Sequence, residues 1–164
     1  MQIGIFFLLI IMDIKVAIQG IQGSFHHQVA HRYFGDAIGL DECSSFRDVV
    51  TSLKTNQSNK AIMALENSIA GSILPNYALI DSNDLHIIGE HFLDIHMNLM
   101  VFPGQTIEDI KEVHSHPIAL LQCANFFGQY PHIKLVESSD TAITAKRIQE
   151  NQLKGIGALA GPVA

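Results

Sequence analysis

The chain has 164 residues, 48% of them apolar and 16% charged, with a formal charge of −6. That length builds one sizeable core, or two small lobes around a cleft, and the composition excludes a disordered chain. Acidity without any basic run excludes a nucleic-acid surface.

The opening stretch, MQIGIFFLLII, is apolar but too short to cross a bilayer, which takes about 20 residues. It has neither the basic start nor the cleavage site of a signal peptide, the first cation being Lys15. Residues 1–11 therefore read as an upstream extension, with Met12 the natural start of a cytoplasmic protein that engages no membrane. Cys43 and Cys123 lie far apart without CxxC spacing and read as reduced, buried thiols.

Residues 14–19 (IKVAIQ) predict a buried strand bounded by glycine. Phe25, Val29, Ala30, Tyr33 and Phe34 then share one helical face. Ser45 with Asp48 forms a capping-box pattern ahead of Phe46, Val49, Val50 and Leu53. A short strand is expected at 61–65 (AIMAL) and another at 85–89. Residues 92–102 alternate, with Leu93, Ile95, Met97, Leu99 and Val101 on one face. Thr106 and Asp109 give a second capping-box pattern before Ile107, Ile110 and Val113. A strand into Ser115, a helix from Pro117, a strand at 133–137, a helix from Asp140 and a strand at 155–159 complete the order. Strands alternating with helices predict an α/β fold with a mostly parallel sheet. There is no repeat, low-complexity segment or linker, and the chain stops at GPVA as a strand begins, which reads as a truncation.

Four strand-to-helix junctions carry the chemistry. GIQGSFHHQVA (20–30) has glycines for tight turns and free N–H groups at a helix start, a setting for an anion. It is neither GxGxxG nor a P-loop, and it is also ordinary architecture. ENSIAGS (66–72) leaves the end of a strand, where open α/β sheets bind ligands, with an amide and hydroxyls close together; the alternative is plain helix capping. VHSHPIALLQC (113–123) offers three readings. His114 and His116 share a face of an extended segment, but Cys123 falls two turns into the next helix beside Leu120, Ala124 and Phe127, so three converging metal ligands are missing. Ser115 and His116 diverge as neighbours, and no nucleophile elbow GxSxG is present. Pro117 suits the first helical position, which leaves His116 or Ser115 as the cap of an anion-facing helix. DTAITAK (140–146) repeats this arrangement. Almost none of these junctions supplies a cation, which points to a small anionic ligand held by helix ends, with neither nucleotide nor metal.

In this order the motifs resemble the prephenate dehydratase family. GIQGSFHHQVA is similar to that family's GPxGTFSHQAA, and ALENSIAGSI (64–73) to PIENSxEGSV, with Ala64 where proline is usual. IIGEHFLDIHMNL (87–99) matches IxGExxLxIxHxL, and VHSHPIALLQC matches VxSHPQALxQC with Ile118 for glutamine. DTAITAK resembles DTAxxAK, and GIGAL resembles a strand like AAIA.

The resemblance implies an α/β, two-lobed fold like the type II periplasmic binding proteins, with parallel or mixed sheets and helices on both faces. Residues 12–79 plus 155–164 would form the first lobe and 80–154 the second, with prephenate between them and no regulatory ACT domain. It implies decarboxylative dehydration of prephenate to phenylpyruvate, on the route to phenylalanine, without a cofactor. The implied substrate-lining residues are Ser24, Glu66, Asn67, Ser68, Ser115, His116, Gln122, Asp140 and Thr141, with capping the alternative role for His116 and Asp140. No catalytic residue is assigned, because the family's TRF threonine falls beyond Ala164, and the 164-residue chain is expected to be inactive or nearly so. A homodimer or homotetramer is the expected assembly. The rival readings are an arogenate dehydratase, a non-catalytic solute-binding module of the same fold, and a metalloprotein using His114 and His116.

Overall fold

The computed structural model describes residues 13–69, 71–138, 141–162 and 164; the reading of residues 1–11 lies outside these. Two separate sheets organise the chain. In the first, β1 (Ile14–Gln19) runs between β2 (Ile38–Cys43) and β3 (Lys60–Ala61), both parallel to it. Val16, Ala17 and Ile18 are all fully buried because both faces of β1 are covered. Val16 and Ile18 pack with Ala30 and Phe34 of α1 (Phe25–Phe34) on one side. Ala17 packs with Val49 of α2 (Phe46–Lys54) on the other. Both helices start as the sequence predicts. Ser24 Oγ accepts from the His27 N–H at 3.2 Å, and Ser45 Oγ accepts from the Asp48 N–H at 3.2 Å.

The strand expected at 61–65 is shorter than its apolar run, since only Lys60 and Ala61 pair with β1 and Ile62 adds one further bond to the Ala17 carbonyl. A two-residue hairpin follows, β4 (Glu66–Asn67) against β5 (Gly71–Ser72), and then α3 (Leu74–Asp81) with proline in its first turn. Residues 85–89 form no strand. From 92 to 98 the alternation is real in burial, with Leu93, Ile95 and Met97 half-buried between exposed neighbours. Only β6 (Asn98–Val101) finds a hydrogen-bonded partner. Thr106 and Asp109 do form their box, with the Thr106 N–H donating to Asp109 Oδ2 at 2.8 Å. It caps one 3-10 turn, Ile107–Asp109, rather than a longer helix.

The second sheet has the order β6, β9 (Ile156–Ala160), β7 (Glu112–Ser115), β8 (Lys134–Glu137). β7, β8 and β9 are parallel, and β6 is antiparallel to β9. Ile110, Val113, Leu120, Phe127, Ile133 and Leu159 form its core. α4 (Pro117–Gln122) and α5 (Ala124–Phe127) are two short helices where one was expected, because Cys123 leaves the helical region at φ −101° and ψ 5°. α6 (Thr141–Glu150) packs on β9, β6 and β7. The placement of 155–164 with the first lobe does not hold for the strand it contains: β9 is hydrogen-bonded between β6 and β7 of the second sheet.

Candidate functional site

Each sheet gathers candidate residues at the carboxyl ends of its parallel strands, the side on which α/β sheets receive ligands. In the first, the turn after β1 runs through Gly20 and Gly23, at φ 99° and 94°, backbone that a side chain resists. This turn delivers Ser24 to the N-cap of α1, where it is buried. The turn is tied on both sides. The Gln22 N–H donates to Glu42 Oε1 at 2.6 Å, and the Gly23 N–H donates to His27 Nδ1 at 3.2 Å. Burial pushes His27 below the ordinary imidazole range, and His31 adds to this while Glu42 opposes it.

Glu66, Asn67 and Ser68 follow β3. Glu66 is exposed, yet both its oxygens are engaged, by Ser72 Oγ at 3.0 Å and by the Tyr77 hydroxyl at 2.5 Å. Donation to that carboxylate pushes the Tyr77 phenol above its usual value. Glu66 thus fastens the hairpin to α3. Asn67 Oδ1 accepts from the Ile69 N–H at 2.9 Å, an Asx turn that shapes the loop around Ser68.

In the second sheet, Ser115 ends β7 fully buried, and its Oγ donates to the Leu159 carbonyl of β9 at 2.8 Å. His116 is the N-cap of α4, with Nδ1 accepting from the Ile118 N–H at 3.3 Å, and its ring is exposed. Gln122 stands at the other end of that helix, roughly 8 Å along the axis at 1.5 Å per residue, away from the strand ends. Thr141 opens α6 after β8, and Asp140 lies outside the described residues. The Ser138 N–H donates to the Ser115 carbonyl at 2.8 Å, bringing the ends of β7 and β8 together.

A cleft of about 760 Å³ runs between the two halves. Gln22 and Glu42 stand on one side, and Lys146, Gln149 and Glu150 of α6 on the other. None of the eight predicted residues that are described lines it, although Ser24 and Thr141 lie within two positions of lining residues. A second cleft, of about 680 Å³, opens beside Glu108, Lys111 and Lys154, near the amino ends of β7 and β9. Asn67 and Ser115 line neither. Glu42 and Glu150 against Lys146 leave the side chains of the larger cleft net acidic, with Gln22 and Gln149 as its neutral donors. Sequence reasoning missed Ser72 and Tyr77, which hold Glu66, and the ring of contacts around His114. The Glu112–His114 spacing of two on one strand face was the available signal for the latter.

Among the described residues no group of three or more His, Cys, Asp or Glu side chains is placed to hold a metal ion. His114 and His116 do not converge either: His114 is tied to Glu112 at 2.8 Å and Arg147 at 3.3 Å, while His116 caps α4. No helix among the described residues is long and apolar enough to cross a membrane.

The chain is 34% identical over 135 residues to a bifunctional chorismate mutase/prephenate dehydratase of Buchnera aphidicola, covering 80% of this chain and 35% of that protein. It is 36% identical over 151 residues to arogenate dehydratase 2 of Petunia hybrida, covering 92% of this chain and 38% of the relative. The chain therefore spans little more than a third of the curated relatives it matches. Its fold superposes on prephenate dehydratase from Arthrobacter aurescens with a TM-score of 0.82 at 24% identity, over 92% of this chain and 50% of that one. It also superposes on GqqA, described as a quorum-quenching acylase, with a TM-score of 0.78 at 27% identity, over 91% of this chain and 54% of that one. Residues 16–164 match the model of the family described as prephenate dehydratase. The chain belongs to the prephenate dehydratase family, with a mixed-sheet α/β fold of the kind that family uses.

Proposed function

We propose that this chain is the substrate-binding part of a cytoplasmic prephenate dehydratase, with the two sheets as the cores of two lobes that close on prephenate. The observation that carries the reading is the placement of the family motifs: Ser24, Ser115 with His116, and Thr141 stand at carboxyl ends of parallel strands, and the Glu66–Ser68 segment lies in the hairpin that follows β3. Prephenate carries two carboxylates, and the N–H groups opening α1 and α6, two helices of 10 residues each, suit them.

In the reaction the bond between the ring and its carboxylate breaks, releasing carbon dioxide. That electron pair moves into the ring and expels the C4 hydroxyl, which takes up one proton and leaves as water. Aromatisation drives both cleavages, so the protein's task is to orient the dianion and place a proton donor by the leaving oxygen. Neutral donors around the departing carboxylate fit this, since strong stabilisation of that charge would oppose its loss. Within this frame Glu66 shapes the Asn67–Ser68 loop, Ser115 secures the end of β7, and Asn67, Ser68, His116 and Thr141 meet the substrate. Gln122, Ser24 and Asp140 are supporting positions. The functional assembly is proposed to be a homodimer or homotetramer, without metal or cofactor.

The test reads binding and turnover separately. Calorimetric titration of the purified chain with prephenate is expected to show one site, weakened at least tenfold by Asn67→Ala, a change of about 1.4 kcal/mol. Phenylpyruvate formation is then followed in the same sample, so that turnover is read apart from binding. Absence of prephenate binding sinks the reading. The likeness to the petunia arogenate dehydratase favours arogenate as the second reading, and tighter binding of arogenate than of prephenate selects it.

A further inference from the structure

His114 lies on β7, and the proposed function leaves it without a task. Its imidazole is held at both nitrogens. Arg147 of α6 brings Nη2 to 3.3 Å from Nδ1, and Glu112, two residues back on the same strand, brings Oε2 to 2.8 Å from Nε2. Lys134 of β8 reaches the other Glu112 oxygen at 3.5 Å. The His114 side chain is only 15% exposed.

The chemistry of these partners points to one tautomer. A guanidinium has hydrogens to donate and no acceptor, so Nδ1 must accept from Arg147. The one ring proton of the neutral imidazole then sits on Nε2 and is donated to Glu112. We infer that His114 in this tautomer is a positioning residue that clasps α6 onto β7 through Arg147, and that protonation of the ring opens the clasp. An imidazolium carries a hydrogen on both nitrogens, so Nδ1–H would meet Nη2–H, cation against cation, and the contact has no protonated counterpart.

The other charges around the ring decide which side moves. Glu112 on β7 faces Nε2 and holds an imidazolium at least as well as a neutral ring, while Lys134 on β8 faces Glu112 rather than the ring. The in-register neighbours on β8 and β9, Val136 and Ala158, are uncharged. The histidine therefore stays with its strand and Arg147 leaves. The half of α6 that carries Arg147 also carries Lys146, Gln149 and Glu150, which wall the cleft between the halves. Acidification loosens that wall. This inference rests on the contacts alone and stands whether or not the chain binds prephenate.

Two measurements on the intact chain test it. Nitrogen chemical shifts of the His114 ring report the tautomer, and amide protection factors at residues 147–151, corrected for intrinsic exchange, report the fit of α6. As the pH is lowered from about 8 to about 5, protection is expected to fall roughly two- to fivefold, as suits one charge-assisted contact. Arg147→Met is expected to show the low value at both ends. His114→Gln keeps an acceptor for Arg147 but cannot titrate, and is expected to hold the high value throughout. A ring protonated at Nδ1 at neutral pH overturns the inference. So does an equal pH response in wild type and His114→Gln, and the latter variant decides the matter if Arg147→Met fails to fold.

Discussion

Ser115 shows how far a residue's identity runs ahead of its surroundings. The motif around it marks a strand running into a helix, and Pro117 and His116 take the helix-start positions that the local sequence predicts. The direction of the Ser115 hydroxyl depends on a strand 44 residues further on, and no local pattern contains that information. Fully buried and donating to the Leu159 carbonyl, Ser115 ties β7 to β9. Its replacement by alanine removes the donor and leaves a buried carbonyl short of a partner, at a cost of about 1–2 kcal/mol. The expected result is a lower denaturant midpoint with an unchanged slope. Prephenate affinity should change only through that destabilisation, so a large loss of binding at full stability would return Ser115 to direct contact with substrate.

At the scale of elements, capping chemistry was legible and pairing was not. Ser45 and Thr106 each start a helix or turn as their spacing indicates, and Ser24 caps α1 in the same way, because a cap is satisfied within three residues. The strands at 61–65 and 92–102 are cut down to Lys60–Ala61 and Asn98–Val101, because a strand also needs a neighbour along its whole length. What fastens β2 to α2 was invisible for the same reason. Asp41 of β2 accepts from Ser52 Oγ of α2, from Ser58 Oγ at 3.1 Å and from Gln57 Nε2 at 2.9 Å. Those bonds, Ser52 first, hold its carboxyl below the usual range against an opposing effect of burial. A carboxyl with a depressed folded value adds stability that is complete above its unfolded value of about 3.9 and disappears as the pH falls through the folded value. Asp41→Asn is therefore expected to cost about 1–2 kcal/mol at neutral pH. The gap from wild type should close in acid, as read from urea midpoints across the pH range. A gap that persists unchanged in acid would show that the charge of Asp41 contributes nothing.

At the scale of the whole molecule, the order of strands in space departs most from their order in the chain. β9 comes last in chain order among the described strands, yet it sits between β6 and β7. Its Ala158 and Ala160 are fully buried, and Leu159 belongs to the core of the second sheet. Just before it, the Gly155 carbonyl accepts from the N–H groups of Lys111 at 2.8 Å and Glu112 at 3.2 Å. Just after it, Gly161 lies so close to α1 that a Cβ there would come within 2.9 Å of both Gln28 and Phe25. Placing 155–164 with the first lobe failed because an apolar run of five residues suits either sheet, and only long-range pairing distinguishes them. A chain ending at Lys154 separates the alternatives. Without β9, β6 has no partner, β7 keeps only β8, and Ser115 loses its acceptor. Amides of β6 and β7 are then expected to lose protection by roughly a hundredfold or more while those of β1 and β2 change little, since local opening follows the contacts that remain. If the loss fell on β1 and β2 instead, the last strand would belong to the first sheet in solution, and the strand order described for the second sheet would be wrong.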